Sequence, residues 1–190
     1  MDMEKILFLD IDGVLQPAGR QERFAHIQDI DILYDELTER LGVDYRQYDK
    51  FDVAAVYFDW DKGSVFELRR ILMSTGARIV VSSDWRSRGL KRVADFLRIH
   101  DLDEYVVDCT LMGEPMYTPH PIVVQYQQEH KILESRAAEI LVYLAQHPEI
   151  QKYLAVDDMK LDGLGENVVQ TNYKLEKEDA DKCIALLGLL

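Results

Sequence analysis

Basic residues are scarce in this 190-residue chain, where 22 Lys and Arg stand against 35 Asp and Glu for a formal net charge of −13. A protein that holds nucleic acid by neutralising phosphates along its length needs a dense basic surface, so that mode is excluded while a local basic patch is not. Long hydrophobic runs are missing too. The longest, such as Ile6–Leu9, are a few residues long, whereas a membrane-spanning helix needs about 20. The opening residues Met1-Asp2-Met3-Glu4-Lys5 carry acids where a secretory leader carries positive charge, and the expectation is a cytoplasmic protein. Cysteine occurs only at 109 and 183, without a C-x-x-C pair, which excludes a zinc ribbon or disulfide framework and leaves two buried or half-buried thiols. The histidines show no metal spacing, Gly163-Leu164-Gly165 lacks the third glycine of a dinucleotide fingerprint, and no repeat or Pro/Gly/Ser-rich linker divides the chain. What is present is 47% apolar content, enough for one well-packed domain over residues 1–190.

The apolar residues are arranged in short blocks. Ile6–Leu9 ends in Asp10, Ile79–Val81 ends in Ser82-Ser83-Asp84, and Tyr153–Val156 ends in Asp157-Asp158. Near-continuous apolar runs of this length are strands covered on both faces, as in a parallel sheet. Tyr105–Val107 and Val168-Val169 are weaker strand candidates. Between them run helical patterns. Val65, Leu68, Ile71 and Leu72 share one face, opened by a Ser64/Glu67 capping box and stopped by Gly76. Leu90–Leu97, Ile132–Ala145 and a last stretch holding Ala180, Ile184 and Leu187 continue the alternation. The fold class is therefore α/β, a three-layer Rossmann-like parallel sheet. Residues 17–62 are longer than one crossover requires and contain one helix candidate near Ile32–Leu41; they read as a cap or flap insert after the first strand.

In open α/β sheets ligands bind outside the carboxyl ends of the strands. That rule brings together Asp10, Asp12, Ser82, Ser83, Asp157 and Asp158. Four carboxylates at one edge repel unless a hard divalent cation sits among them, and Mg2+ takes carboxylates, carbonyls and water. The expected metal ligands are Asp10, Asp12, Asp157 and Asp158, and phosphoryl chemistry is the leading reaction class.

These residues carry a resemblance. Phe8-Leu9-Asp10-Ile11-Asp12-Gly13-Val14-Leu15 resembles the first motif of the haloacid dehalogenase (HAD) superfamily, Val81-Ser82 the second, and Ala155-Val156-Asp157-Asp158 the fourth. Ser-Ser-Asp-Trp-Arg at 82–86, with Arg136-Ala-Ala-Glu139-Ile140, is similar to small HAD domains related to bacterial RNA-repair proteins. The third motif calls for a cation on the helix before the fourth, and Arg136 or Lys131 fills it. The resemblance implies that Asp10 is a nucleophile forming an aspartyl-phosphate and that Asp12 is the general acid and base. It also implies that Ser82, or Ser83 if the strand ends a residue later, and Arg136 bind the phosphoryl group, with Mg2+ as cofactor. Asp12 marks a phosphate-hydrolysing member rather than a dehalogenase.

The implied activity is a Mg2+-dependent phosphomonoesterase acting on a small phosphorylated substrate. A polynucleotide end phosphatase and a non-catalytic phospho-ligand module are the alternatives; no membrane partner is expected. Arg78, Arg86, Arg88, Lys91 and Arg92 form the one local basic cluster able to meet a strand end, or else a solvated helix face, the reading that such a charge run favours. Substrate choice belongs to 17–62 and 110–128, where Tyr57, Asp59, Trp60 and Tyr117 are residues able to stack or hydrogen-bond, or else to pack the insert.

Overall fold

A computed structural model describes residues 5–113, 120–130 and 135–188. Five strands, β1 (Lys5–Leu9), β2 (Arg78–Val81), β3 (Val106–Cys109), β4 (Lys152–Asp157) and β5 (Val168–Gln170), form one sheet in the order β3-β2-β1-β4-β5. Every pairing is parallel. Ile6, Leu7, Phe8 and Leu9 are all inaccessible or nearly so, because both faces of the sheet are covered, and this is why the sequence shows unbroken apolar runs instead of alternation.

The alternation of side chains divides the core by face. Leu7, Leu9, Ile79, Val81, Leu154 and Val156 point to the larger side, where they meet α4 (Lys62–Thr75), α5 (Leu90–Arg98) and α8 (Lys177–Gly188). Ile6, Phe8, Val80 and Ala155 point the other way, onto Ala137, Ile140 and Tyr143 of α7 (Ser135–Gln146). Outside α7 lies α6 (Pro121–His130), contributing Val123. The architecture is the expected three-layer α/β sandwich.

Residues 17–62 contribute short α1 (Arg23–His26), α2 (Ile30–Leu41) and α3 (Lys50–Ala54), the last running into a wider π turn over Ala55–Asp59. Leu33, Tyr34, Leu37, Val53, Val56 and Trp60 all belong to the larger core. Trp60 stacks on His100 with ring centroids 5.2 Å apart and meets Trp85 edge-on at 5.8 Å. His100 Nε2 lies 2.8 Å from the Val56 carbonyl, and Tyr45 Oη donates to the Asp95 carbonyl at 2.7 Å. Burial holds the His100 imidazole below its ordinary pKa. The insert is thus rooted in the core that supports the sheet.

One local expectation needs correction. The start of α4 is capped by Asp61, whose carboxylate accepts from Ser64 N at 3.0 Å, and not by a Ser64/Glu67 box. Ser64 is instead in the first turn, donating Oγ to the Leu175 carbonyl at 2.9 Å, and Glu67 pairs with Arg70. An aspartate three residues ahead of a serine caps as well as the serine does. The stop at Gly76, with φ +70, is as expected. The predicted start of α7 at Ile132 lies outside the described residues, as do Tyr117 and Lys131.

Candidate active site

The sheet order reverses at β1: the chain runs from β1 outward through β2 and β3, then returns to place β4 on β1's other side. The crevice of an open α/β sheet opens at such a reversal. Asp10 and Asp157 stand at the ends of β1 and β4, with Asp10 N donating to the Val156 carbonyl at 3.0 Å. Both carboxylates are almost fully buried.

After β1 the chain folds on itself. The amides of Val14, Leu15 and Gln16 converge on the Ile11 carbonyl at 3.2, 2.9 and 3.0 Å, and Gly13 N donates to the Gln16 carbonyl at 2.8 Å. Gly13 sits at φ +72, and a Cβ there would overlap the Asp158 carboxylate. Thr171 fastens the turn to β4: its hydroxyl donates to the Gly13 carbonyl at 2.7 Å and its amide to the Asp157 carbonyl at 2.9 Å. The two acidic motifs are therefore held together by backbone as well as by the sheet.

Asp10, Asp157 and Asp158 each offer a carboxylate oxygen, all within 4.8 Å of one another. Asp12 does not join them. Its carboxylate faces the cleft mouth and accepts from Trp85 Nε1 at 2.9 Å. Arg136 lies across the buried acids: Nη1 is 2.8 Å from Asp10 and 3.2 Å from Asp157, while Nη2 reaches Asp84 at 3.1 Å. Ser83 Oγ is buried without a well-formed hydrogen bond, yet lies close enough to the Asp10 carboxyl to favour its charged form. The Ser82 hydroxyl is 3.5 Å from that of Thr110. Of the two serines, Ser83 is the one next to Asp10 with a hydroxyl to spare.

Burial dominates the electrostatics. Loss of hydration, reinforced by Asp157 and opposed by Arg136, raises the Asp10 carboxyl from 3.8 to about 7. Asp157 is raised as well, by burial against the pull of Arg136. Asp12 is raised chiefly by lost hydration, with Asp84 and Asp158 adding to it and the Trp85 hydrogen bond opposing. For Arg136 burial pulls the other way, but Asp10 and Asp157 prevail and raise it.

Arg86 serves this site from behind. Buried with Glu139 in an ion pair, it also donates Nε to the Thr110 carbonyl at 2.9 Å and Nη1 to the Ser83 carbonyl. It thereby fixes the turn that carries Ser83, Asp84 and Trp85. Most of the basic residues named from the sequence are paired within the chain: Arg78 binds the Glu104 carbonyl, Lys91 pairs with Asp95 and Arg92 with Asp52, while Arg88 and Arg92 line one cleft. Asp59 is spent on Arg23, Trp60 is buried, and Tyr57 donates to Glu36, so these three pack the insert. The contacts of Asp84, Thr110 and Glu139 cannot be read from the sequence: the strings 82–86 and 136–140 are the signals for Asp84 and Glu139, and Thr110 comes from a distant element with none.

Beside Asp12 a cleft of about 290 Å³ is lined by Asp52, Asp84, Trp85, Ser87, Arg88 and Arg92. The converging carboxylates of Asp10, Asp157 and Asp158 suit a hard cation, with neither thiol nor imidazole among them. The family model described as the HAD domain in Swiss Army Knife RNA repair proteins matches residues 6–180. No curated protein and no solved structure matches the chain.

Proposed function

The chain belongs to the family of HAD domains in Swiss Army Knife RNA repair proteins, a HAD-type hydrolase domain, and on that footing we propose that it hydrolyses phosphomonoesters through an aspartyl-phosphate on Asp10. The observation that carries this reading is the meeting of Asp10, Asp157 and Asp158 under Arg136, with Asp12 two residues on at the open mouth. In the first half-reaction an Asp10 oxygen attacks phosphorus, the bond to the leaving oxygen breaks, and Asp12 gives that oxygen its proton. In the second, Asp12 takes a proton from water as the water oxygen attacks phosphorus and Asp10 is released. The raised pKa of Asp12 suits a group that must begin protonated. Ser83 would donate to a phosphoryl oxygen, and Arg136 would meet the charge spread over the others.

Asp10, Asp157 and Asp158 would hold Mg2+, which when bound neutralises phosphoryl charge and lowers the repulsion met by an anionic nucleophile. Asp12, turned toward Trp85, is left for proton transfer. Residues 17–62 serve as the insert that walls the cleft, through Asp52.

A polynucleotide end phosphatase is the second reading, supported by the family's RNA-repair description; it keeps the same chemistry and changes the leaving group. Purified protein with Mg2+ is expected to hydrolyse p-nitrophenyl phosphate, and D10N to lose that turnover by at least about 1,000-fold, the loss of a covalent nucleophile. Turnover surviving in D10N would reject the nucleophile. Binding without turnover of a broad phosphoester panel, phosphorylated oligonucleotides included, would make the domain a capture module.

A further inference from the structure

The arginines of this chain are nearly all committed. In a protein whose acids outnumber its bases by 13, each arginine except Arg88 makes a hydrogen bond or an ion pair among the described residues. Arg88 makes neither, although it is exposed in a cleft that also contains three carboxylates. Those carboxylates are taken. Asp12 accepts from Trp85, Asp52 holds Arg92, and Asp84 holds Arg136.

The backbone presenting Arg88 is well fixed. It closes the short 3-10 turn Asp84–Arg88, which is anchored by the buried Arg86–Glu139 pair and by Gly89 N donating to the Arg86 carbonyl at 2.8 Å. An unpaired guanidinium carried on that fixed backbone and lining the same cleft as Asp12 is placed for an anion, and its planar fork matches a phosphate bidentately. The cleft, about 290 Å³, is at the small end of ligand pockets. It has room for part of a substrate beyond the reacting phosphoryl group.

We propose that Arg88 binds a second phosphate of the substrate, so that the preferred substrates are phosphomonoesters with another phosphate on the leaving-group side. This rests on the phosphomonoesterase reading. Two sources share that chemistry: a nucleoside bisphosphate, and a phosphorylated strand end whose next phosphodiester reaches Arg88.

The test is a calorimetric titration of wild-type protein and of R88A and R88K, each with adenosine monophosphate, with adenosine bisphosphate phosphorylated at both ribose ends, and with a dinucleotide carrying a terminal phosphate. Wild-type protein is expected to prefer the bisphosphate by about tenfold, the worth of one charge-assisted contact. R88A should bring the preference to within about twofold, and R88K should restore part of it. A wild-type protein without preference, or an R88A variant that keeps it, overturns the subsite. An Arg88-dependent gain for the dinucleotide identifies a strand end as the source, and a gain confined to the bisphosphate identifies the small molecule. Because these are binding measurements, a protein inactive on p-nitrophenyl phosphate would fail the phosphatase reading without deciding the fate of this one.

Discussion

At the residue scale, Gly13 shows how tightly the two acidic motifs are joined. Its φ of +72 is unfavourable for any L side chain, and the space a Cβ would take is occupied by Asp158. Gly13→Ala is expected to lower stability by about 2 kcal/mol or more, from left-handed strain plus the clash. It should also weaken divalent-cation binding, because the carboxylate that must move is one of the three converging oxygens. Urea unfolding and a Mg2+ titration followed by melting temperature check the two effects, and a variant with unaltered Mg2+ response would show that Asp158 is not a ligand. Asp10 gives a second expectation. Its carboxyl titrates near 7 in the folded chain and at 3.8 in the ordinary case, so the folded state holds the proton more tightly. The stabilisation from that proton is complete below 3.8 and gone once the pH passes about 7. In a chelator, D10N, which cannot carry the charge, should gain stability over the wild type as the pH rises from acid to about 8. The gain is of the order of a few kcal/mol at most, at about 1.4 kcal/mol per pKa unit. A difference that stays flat across that range would refute the buried-charge account.

At the scale of elements, the turn after β2 depends on a charge pair hidden between it and α7. Arg86 and Glu139 are each more than nine-tenths inaccessible, and burial alone would push the guanidinium's pKa down. Glu139→Gln leaves a buried cation with its countercharge gone, and stability should fall by roughly 3–5 kcal/mol. Exchanging both partners for apolar residues should cost less than that single change. Equilibrium unfolding of the single and double variants decides the matter, and a neutral single variant would mean that water reaches Arg86. A smaller effect is expected at the start of α4, where Asp61→Ala removes the cap over Ser64 N and the partners of Arg20 and Lys174. About 1 kcal/mol is lost there.

These elements also show what could be read from residue order. Strands covered on both faces wrote themselves as apolar runs ending in acids or serines, so β1, β2 and β4 followed from hydropathy, and the convergence of their ends from the way open α/β sheets place their ligands. The choice between Ser82 and Ser83 did not, because it turns on how the chain bends after Val81. Nor did the partners of Arg86 and Trp85. Glu139 lies 53 residues from Arg86, and Asp12 lies 73 from Trp85, separations at which no local pattern carries information. The aromatic residues of the insert stayed open between two readings for a related reason: Trp60 fits a substrate platform or a core equally well until its neighbours are known.

For the whole molecule, the acidic surplus means that binding at the cleft depends on a few local cations against an unfavourable general field. Association with any polyanionic substrate should therefore be slow at low ionic strength and should speed up or stay level as salt rises to about 0.15 M, where the screening length is near 8 Å. Proteins bearing a basic surface show the opposite trend. Stopped-flow binding of a phosphorylated oligonucleotide across a salt series measures the slope, and a steep decline with salt would reveal a basic track that the charge distribution does not suggest. No helix of the described residues is long and apolar enough to cross a membrane.

The way the 17–62 segment is rooted bears on how molecules enter and leave. Its Trp60 is wedged between His100 and Trp85, and its Tyr45 is bonded to α5, so swinging it aside would tear open the core of the sheet. If the cleft beside Asp12 takes the substrate as proposed, the substrate meets a standing doorway in place of a hinged door. Under that reading selectivity would come from the shape and charge of the threshold, and the pace of exchange from diffusion through it.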